Sequence, residues 1–251
     1  MMKDLYDFTD RTADPSVAGF LHRPESPSGD GLILTHGAGG NAQMPLLVAL
    51  AETFVDAGIT VARIDLPFRQ LRRFGPPRPG DAARDRDGLR NAIVAMKKIA
   101  PARVFLGGQS YGGRQASMLL AENSGTDENL EAENISLTQS QNEDFSAAQP
   151  AEQVAAGLLL LSYPLHPPGR PDQPRIQHLP NLRVPTLFVH GTRDPFGTIE
   201  EIENARKLIP AKTDLLVVEG AGHDLGFKRK SRRNELPYAV RERFANFFGT
   251  P

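Results

Sequence analysis

The sequence predicts an α/β fold with a mostly parallel central sheet and helices on both faces. Three observations carry this. Short β-rich apolar runs alternate with longer stretches of helical periodicity, which is the order of repeated β-α-β units. Residues 156–162 are apolar without alternation, as a strand covered on both faces requires. The chain has 251 residues, 39% hydrophobic and 24% charged, which suits one ordinary globular domain spanning 1–251.

The elements follow in order. Residues 31–36 read as a strand ending in a Gly-rich turn. From 43 to 57, Leu46, Leu47, Leu50, Phe54 and Val55 recur at helical spacing, and Gly58 stops that helix. Residues 59–64 are the next strand, and a Pro/Arg-rich loop is expected from 67 to 80. A helix over 82–99 leads to a strand at 103–107 and a helix over 111–122. Later strands are expected at 186–189 and 214–218, with a helix at 199–209 between them and a last helix at 236–248. His22 is assigned to an earlier strand.

One stretch breaks this rhythm. Residues 123–150 are rich in Asn, Gln, Ser, Glu and Asp, and no Lys or Arg occurs between Arg114 and Arg170. Such a composition buries too little apolar surface to offset the entropy of ordering, so a mobile surface excursion is expected. A flap beside the site is the functional alternative.

Composition narrows the chemistry. With no cysteine, disulfides, thiolate metal sites and a cysteine nucleophile are excluded together. The start, MMKDLYDFTD, has no apolar core of a secretory signal, and 154–165 is too short to span a bilayer. A cytoplasmic protein without membrane attachment is therefore expected. The net charge of −1 gives no general pull toward nucleic acid. The basic run 228–233 reads as a solvated loop. No metal and no cofactor is expected, and the oligomeric state is left open.

Gly108-Gln109-Ser110-Tyr111-Gly112 matches the G-x-S-x-G elbow, between an apolar strand and a helical pattern. A serine on a sharp strand-to-helix turn needs tiny neighbours two residues away, and Gly113 adds room where the helix leaves. The plainer alternative is a glycine turn in which Ser110 only caps the helix. A serine hydroxyl needs a base, and six histidines compete. His223 follows the last strand through a small-residue loop, which fits the chain order Ser, acid, His. His36 and His190 sit at strand ends and read as structural hydrogen bonders, with His22, His166 and His178 weaker candidates.

The acid expected to orient the imidazole is Asp194, just past the strand before His223. Asp224 adjoins His223 and cannot easily fold back on its neighbour's ring. Two backbone N–H groups are needed for an oxyanion, and Tyr111 and Ala38 are the candidates, with Gly37 and Gly39 letting a substrate approach. The turn His36–Gly40 lacks the G-K-[ST] ending of a nucleotide loop.

Taken in order, His36–Gly40, Gly108–Gly112, Asp194 and His223 resemble the α/β-hydrolase superfamily over nearly the whole chain. More narrowly, Ser162–Gly169 and His190–Gly197 are similar to a branch shared by a testis-expressed protein, a subunit of the NSL chromatin complex and many bacterial hydrolase-like proteins. The compact form is similar to dienelactone hydrolases, from which the chain departs by carrying serine where they carry cysteine. The resemblance implies an α/β-hydrolase fold without a cap domain, since 162–184 is too short for one. Competent residues at all three triad positions favour a working serine hydrolase of the carboxylesterase type, acting on a small-molecule acyl substrate through an acyl-enzyme, while no substrate class carries over from the branch. Some relatives in the branch act as interaction modules, which keeps a non-catalytic binding protein as the competing class.

For the pocket, a short-chain ester or lactone is expected. Arg114, one turn into the nucleophile helix, and the arginines of 68–74 are candidates to pair with a substrate carboxylate. Solvation at the surface is the alternative for each.

Overall fold

A computed structural model describes residues 5–122 and 155–251, so the polar stretch 123–150 lies outside the described residues. The strands are β1 (Leu5–Asp10), β2 (Val17–His22), β3 (Asp30–Thr35), β4 (Thr60–Ile64), β5 (Arg103–Gln109), β6 (Gly157–Leu161), β7 (Thr186–Gly191) and β8 (Thr213–Val218). The helices are α1 (Pro45–Asp56), α2 (Pro67–Leu71), α3 (Asp81–Lys97), α4 (Tyr111–Glu122), α5 (Ile199–Arg206) and α6 (Lys230–Phe248). The sheet order is β1-β2-β4-β3-β5-β6-β7-β8. β1, β2 and β4 pair antiparallel, and every pairing from β4 to β8 is parallel.

Alternation along the strands divides the interior into two layers. Ile33, Ala62, Leu106, Leu158, Leu160 and Phe188 face α3, α4 and α5. Leu32, Leu34, Val61, Phe105, Leu159 and Leu187 face α1 and α6. The second layer is knit by Phe244, whose ring lies 5.0 Å from those of Phe54 and Phe105 and 4.5 Å from Phe248. Both faces of β6 are thus covered, as its unbroken apolar run predicts.

Three expectations need correction. β1 escapes the sequence because it is an outer strand with only Phe8 buried, so no apolar alternation marks it. Within the expected loop 67–80, Pro67 at the first helical position starts the short helix α2. The final helix begins at Lys230 rather than 236, so four of the six residues of the basic run 228–233 are helical and not loop. Pro237 lies inside that helix and removes a backbone donor, which in sequence reads as a helix start. Arg232 and Arg233 also donate to the carbonyls of Glu219 and Phe227 at 2.5 and 3.2 Å, so they anchor a loop.

Between β6 and β7 only a 3-10 turn, Leu179–Asn181, is formed. Among the described residues, no helix is long and apolar enough to cross a membrane. The parallel register brings the ends of β3, β5, β7 and β8 to one edge, where binding crevices of such sheets open.

Candidate active site

At the end of β5 the chain turns into α4 through Ser110, whose φ of 51° lies in the left-handed region. That conformation is strained for a residue with a Cβ, and it lifts the hydroxyl out of the sheet edge. The flanking glycines make the turn possible. A Cβ on Gly108 would collide with the Gly113 amide nitrogen, and one on Gly112 would come within 2.5 Å of the His36 carbonyl oxygen. The Ser110 N–H donates to Leu161 O at 2.8 Å, fixing the elbow to β6.

His223 and Asp194 arrive from the loops after β8 and β7. The Ser110 hydroxyl donates to His223 Nε2 at 2.8 Å. His223 Nδ1–H donates to Asp194 Oδ2 at 2.8 Å and Oδ1 at 3.0 Å, because an ionised carboxylate only accepts. That assigns the Nδ1–H tautomer and leaves Nε2 free to take the serine proton. The Asp194 carboxylate is fully buried, and the Phe196 N–H donates to its Oδ1 at 2.9 Å. The Phe196 ring lies against the imidazole, centroids 4.1 Å apart, and restricts its rotation. Asp224 is spent elsewhere: its Oδ1 accepts from Gly226 N–H at 2.9 Å.

The turn after β3 stands on the other side of the nucleophile. A Cβ on Gly37 would lie 3.3 Å from Ser110 Cβ, whereas Gly39 faces open space. The Gly37 carbonyl accepts from His36 Nδ1–H at 2.8 Å and from Gly40 N–H at 3.0 Å. In a trans peptide the N–H points opposite to the C=O, so this pinning aims the Ala38 N–H away from His36. Neither the Ala38 nor the Tyr111 N–H donates to an acceptor among the described residues. Burial pushes His36 below the ordinary imidazole range, which keeps it neutral, and its Nε2 accepts from Leu66 N–H at 3.2 Å.

Helix α2 braces this turn. Buried Arg69 donates to Gly40 O at 2.7 Å, Ala38 O at 3.0 Å, Arg72 O at 3.0 Å and Gly75 O at 2.9 Å. The Phe68 ring sits between His36 and Tyr111, with centroids at 5.6 and 5.7 Å. Asp85, fully buried on α3, accepts from Phe68 N–H at 2.9 Å and from the Tyr111 hydroxyl at 2.7 Å. Burial raises the Asp85 carboxyl; burial and then the Asp85 bond also raise the Tyr111 phenol.

The sequence matches the α/β hydrolase domain family over residues 29–242. The chain belongs to that family. Among solved structures, an α/β serine hydrolase homologue from Coxiella burnetii is similar at 16% identity, covering 98% of this chain and 99% of that one, with a TM-score of 0.68. A dienelactone hydrolase from Anabaena variabilis is similar at 20% identity, covering 98% and 99%, with a TM-score of 0.69. A lidless α/β serine hydrolase from Xanthomonas campestris is similar at 15% identity, covering 100% and 97%, with a TM-score of 0.64. At these identities the likeness concerns the fold.

On this α/β-hydrolase scaffold Ser110, His223 and Asp194 form the hydrogen-bonded line by which serine hydrolases activate a hydroxyl. Gly37 and Ala38 adjoin it, and Tyr111 follows the nucleophile. None of the remaining histidines bonds Ser110, although His190 Nε2 lies 3.8 Å from Asp194 Oδ2. His190 Nε2–H donates to Gly197 O at 2.8 Å, and His166 Nδ1–H to Pro167 O at 2.7 Å. His22 accepts from Arg63 Nε at 2.8 Å, and His178 bonds Ser117 at 2.8 Å.

Two arginines of 68–74, candidates to pair with a substrate carboxylate, are engaged within the fold: Arg69 is spent on backbone carbonyls and Arg72 pairs with Asp81. The sequence gives no hint of Arg69 and Asp85 as supports, since their partners are main-chain groups and a tyrosine hydroxyl distant in the chain. Among the described residues, no group of three or more His, Asp or Glu side chains converges as a metal site would.

Proposed function

We propose that this chain is a serine hydrolase that cleaves a small carboxylic ester or lactone through an acyl-enzyme. The observation that carries the reading is the line from the Ser110 hydroxyl through His223 to the buried Asp194 carboxylate. In the first half-reaction His223 Nε2 takes the serine proton while Oγ attacks the substrate carbonyl carbon. The Ala38 and Tyr111 N–H groups hold the resulting oxyanion, helped by the positive end of α4. Collapse breaks the ester C–O bond, and His223 returns the proton to the departing alkoxide. Water, deprotonated by His223, then attacks the acyl-enzyme, and the acid leaves with Ser110 regenerated.

Gly37 and Gly39 would line the approach to Ser110, and Arg114 the far end of the pocket. No cofactor enters this sequence of steps. The reading treats residues 1–251 as one catalytic domain in the cytoplasm. Within the family, it places the chain in the narrower branch that Ser162–Gly169 and His190–Gly197 resemble.

The test is covalent labelling by a fluorophosphonate, read by mass. Rapid modification at Ser110, absent from Ser110→Ala, is the expected result. Folded wild-type protein that resists the probe would overturn the hydrolase and leave a binding module on the same fold.

A further inference from the structure

Against the middle of α4, one cluster of polar groups takes no part in the steps above. Two hydroxyls donate to main-chain carbonyls: Ser117 Oγ to Arg114 O at 2.9 Å, and Tyr163 OH to Arg175 O at 3.0 Å. His178 Nε2 lies 2.8 Å from Ser117 Oγ and 3.4 Å from Tyr163 OH. With both hydroxyl protons committed, His178 Nε2–H is the donor to those two oxygens. The outcome is a platform that fixes the backbone of Arg114 and Arg175 while using neither guanidinium.

Several other arginines have their charge met within the fold. Arg103 is paired with Asp30, Arg206 with Glu203 and Arg243 with Asp214, and Arg69 is spent on carbonyls. Neither Arg114 nor Arg175 makes a side-chain hydrogen bond or ion pair among the described residues. The Nε of Arg114 is moreover buried without an acceptor. An unmet charged donor is costly in a protein interior.

The two charges are also felt together. Burial and then Arg114 lower the Arg175 guanidinium from its usual range, and the same two causes bring His178 down to about 4. Joined through the Ser117–His178–Tyr163 platform and, among the described residues, with no carboxylate bonded to either, the two cations suit an anion that arrives from outside.

Their position relates this to the reaction. Arg114 N–H donates to Ser110 O at 3.0 Å, so Arg114 is one helical turn, about 6 Å, along α4 from the nucleophile. Helical side chains lean toward the helix N-terminus, here toward Ser110 and Tyr111.

We infer that Arg114 and Arg175 form an anion subsite beside Ser110, and that the natural substrate carries a carboxylate a few bonds from its scissile carbonyl. This rests on the hydrolase reading and names its substrate class. A carboxylate suits the site because a guanidinium fork meets its two oxygens in one plane.

The experiment compares two esters of nearly equal shape, 4-nitrophenyl hydrogen succinate and 4-nitrophenyl 4-methylpentanoate. Wild-type protein should favour the charged ester roughly tenfold or more in kcat/KM, chiefly through KM, and less so as salt rises. That ratio should fall toward one in Arg114→Gln and in Arg175→Gln, and recover in part in Arg114→Lys. Unchanged far-UV circular dichroism would establish that the variants are folded.

A wild type that turns over the neutral ester as well as the charged one would overturn the subsite, as would a preference that survives both glutamine variants. Fluorophosphonate labelling keeps the two failures apart. If Ser110 is labelled and the ratio is flat, only the subsite fails. If Ser110 is not labelled, the hydrolase reading fails, and calorimetric titration with succinate still tests the two arginines. Binding lost in Arg114→Gln would then support the subsite, and no binding would end it.

Discussion

On one side of Ser110, Asp194 and His223 hang from the ends of β7 and β8 and reach the nucleophile through side chains alone. On the other side, the turn His36–Gly40 offers a backbone N–H and is held by groups from α2 and α3. The first side is a single file of side chains from Ser110 to His223 to Asp194. The second is a mesh, with the Gly37, Ala38 and Gly40 carbonyls each tied to a donor. Loss of a link should therefore break the first side outright and loosen the second by degrees.

The largest effect is expected from Asp194→Asn. An amide cannot stabilise an imidazolium, and it can turn its N–H₂ toward the ring and reverse the His223 tautomer. Turnover should fall on the order of 10⁴-fold with little change in Tm, read from kcat on an activated ester. A loss of only a few-fold would mean that His190, 3.8 Å from Asp194, or another group supports the imidazole.

Phe68→Ala tests the mesh at its densest point. Its ring is buried between His36 and Tyr111, so truncation opens a cavity beside the His36–Gly40 turn and the start of α4, which carry the two proposed oxyanion donors. Stability should drop about 3–5 kcal/mol in urea unfolding. An activity loss no greater than the fraction unfolded would show that the two donors keep their aim without the ring.

Arg69→Met separates aim from packing more cleanly. It keeps the length of the side chain and removes donors to four carbonyls. We expect kcat to fall about 10- to 100-fold with KM little altered, since a misaimed N–H weakens the transition state more than the ground state. Should KM rise and kcat hold, Arg69 shapes the pocket and does not position the oxyanion turn.

The two sides also differ in how far the sequence foretells them. Ser110, Asp194 and His223 stand at strand ends beside glycines, and a residue whose role is carried by its own side chain leaves a local signature. The supports of the His36–Gly40 turn act on main-chain groups, which every residue has, so no pattern marks which carbonyl Arg69 will meet. Helix α2 is five residues long and begins with Pro67, too short for helical periodicity to register. The parallel strands were legible because burial on both faces leaves unbroken apolar runs. β1 was not, with one buried residue in six.

Buried histidines provide the mildest test, and they occur on both sides. His36 lies under Gly37, and His190 lies beside Asp194. Burial lowers both below the ordinary imidazole value, as it does His178 near Arg114. Below pH 6.5 the unfolded chain binds protons that the folded protein refuses, so stability falls as the pH drops toward the folded values. For His178 that window runs from about 6.5 to about 4. Across it, His178→Gln should lose a few degrees less in Tm than wild type, measured by calorimetry at matched ionic strength. Parallel curves would mean that burial and Arg114 do not lower His178 in the folded protein.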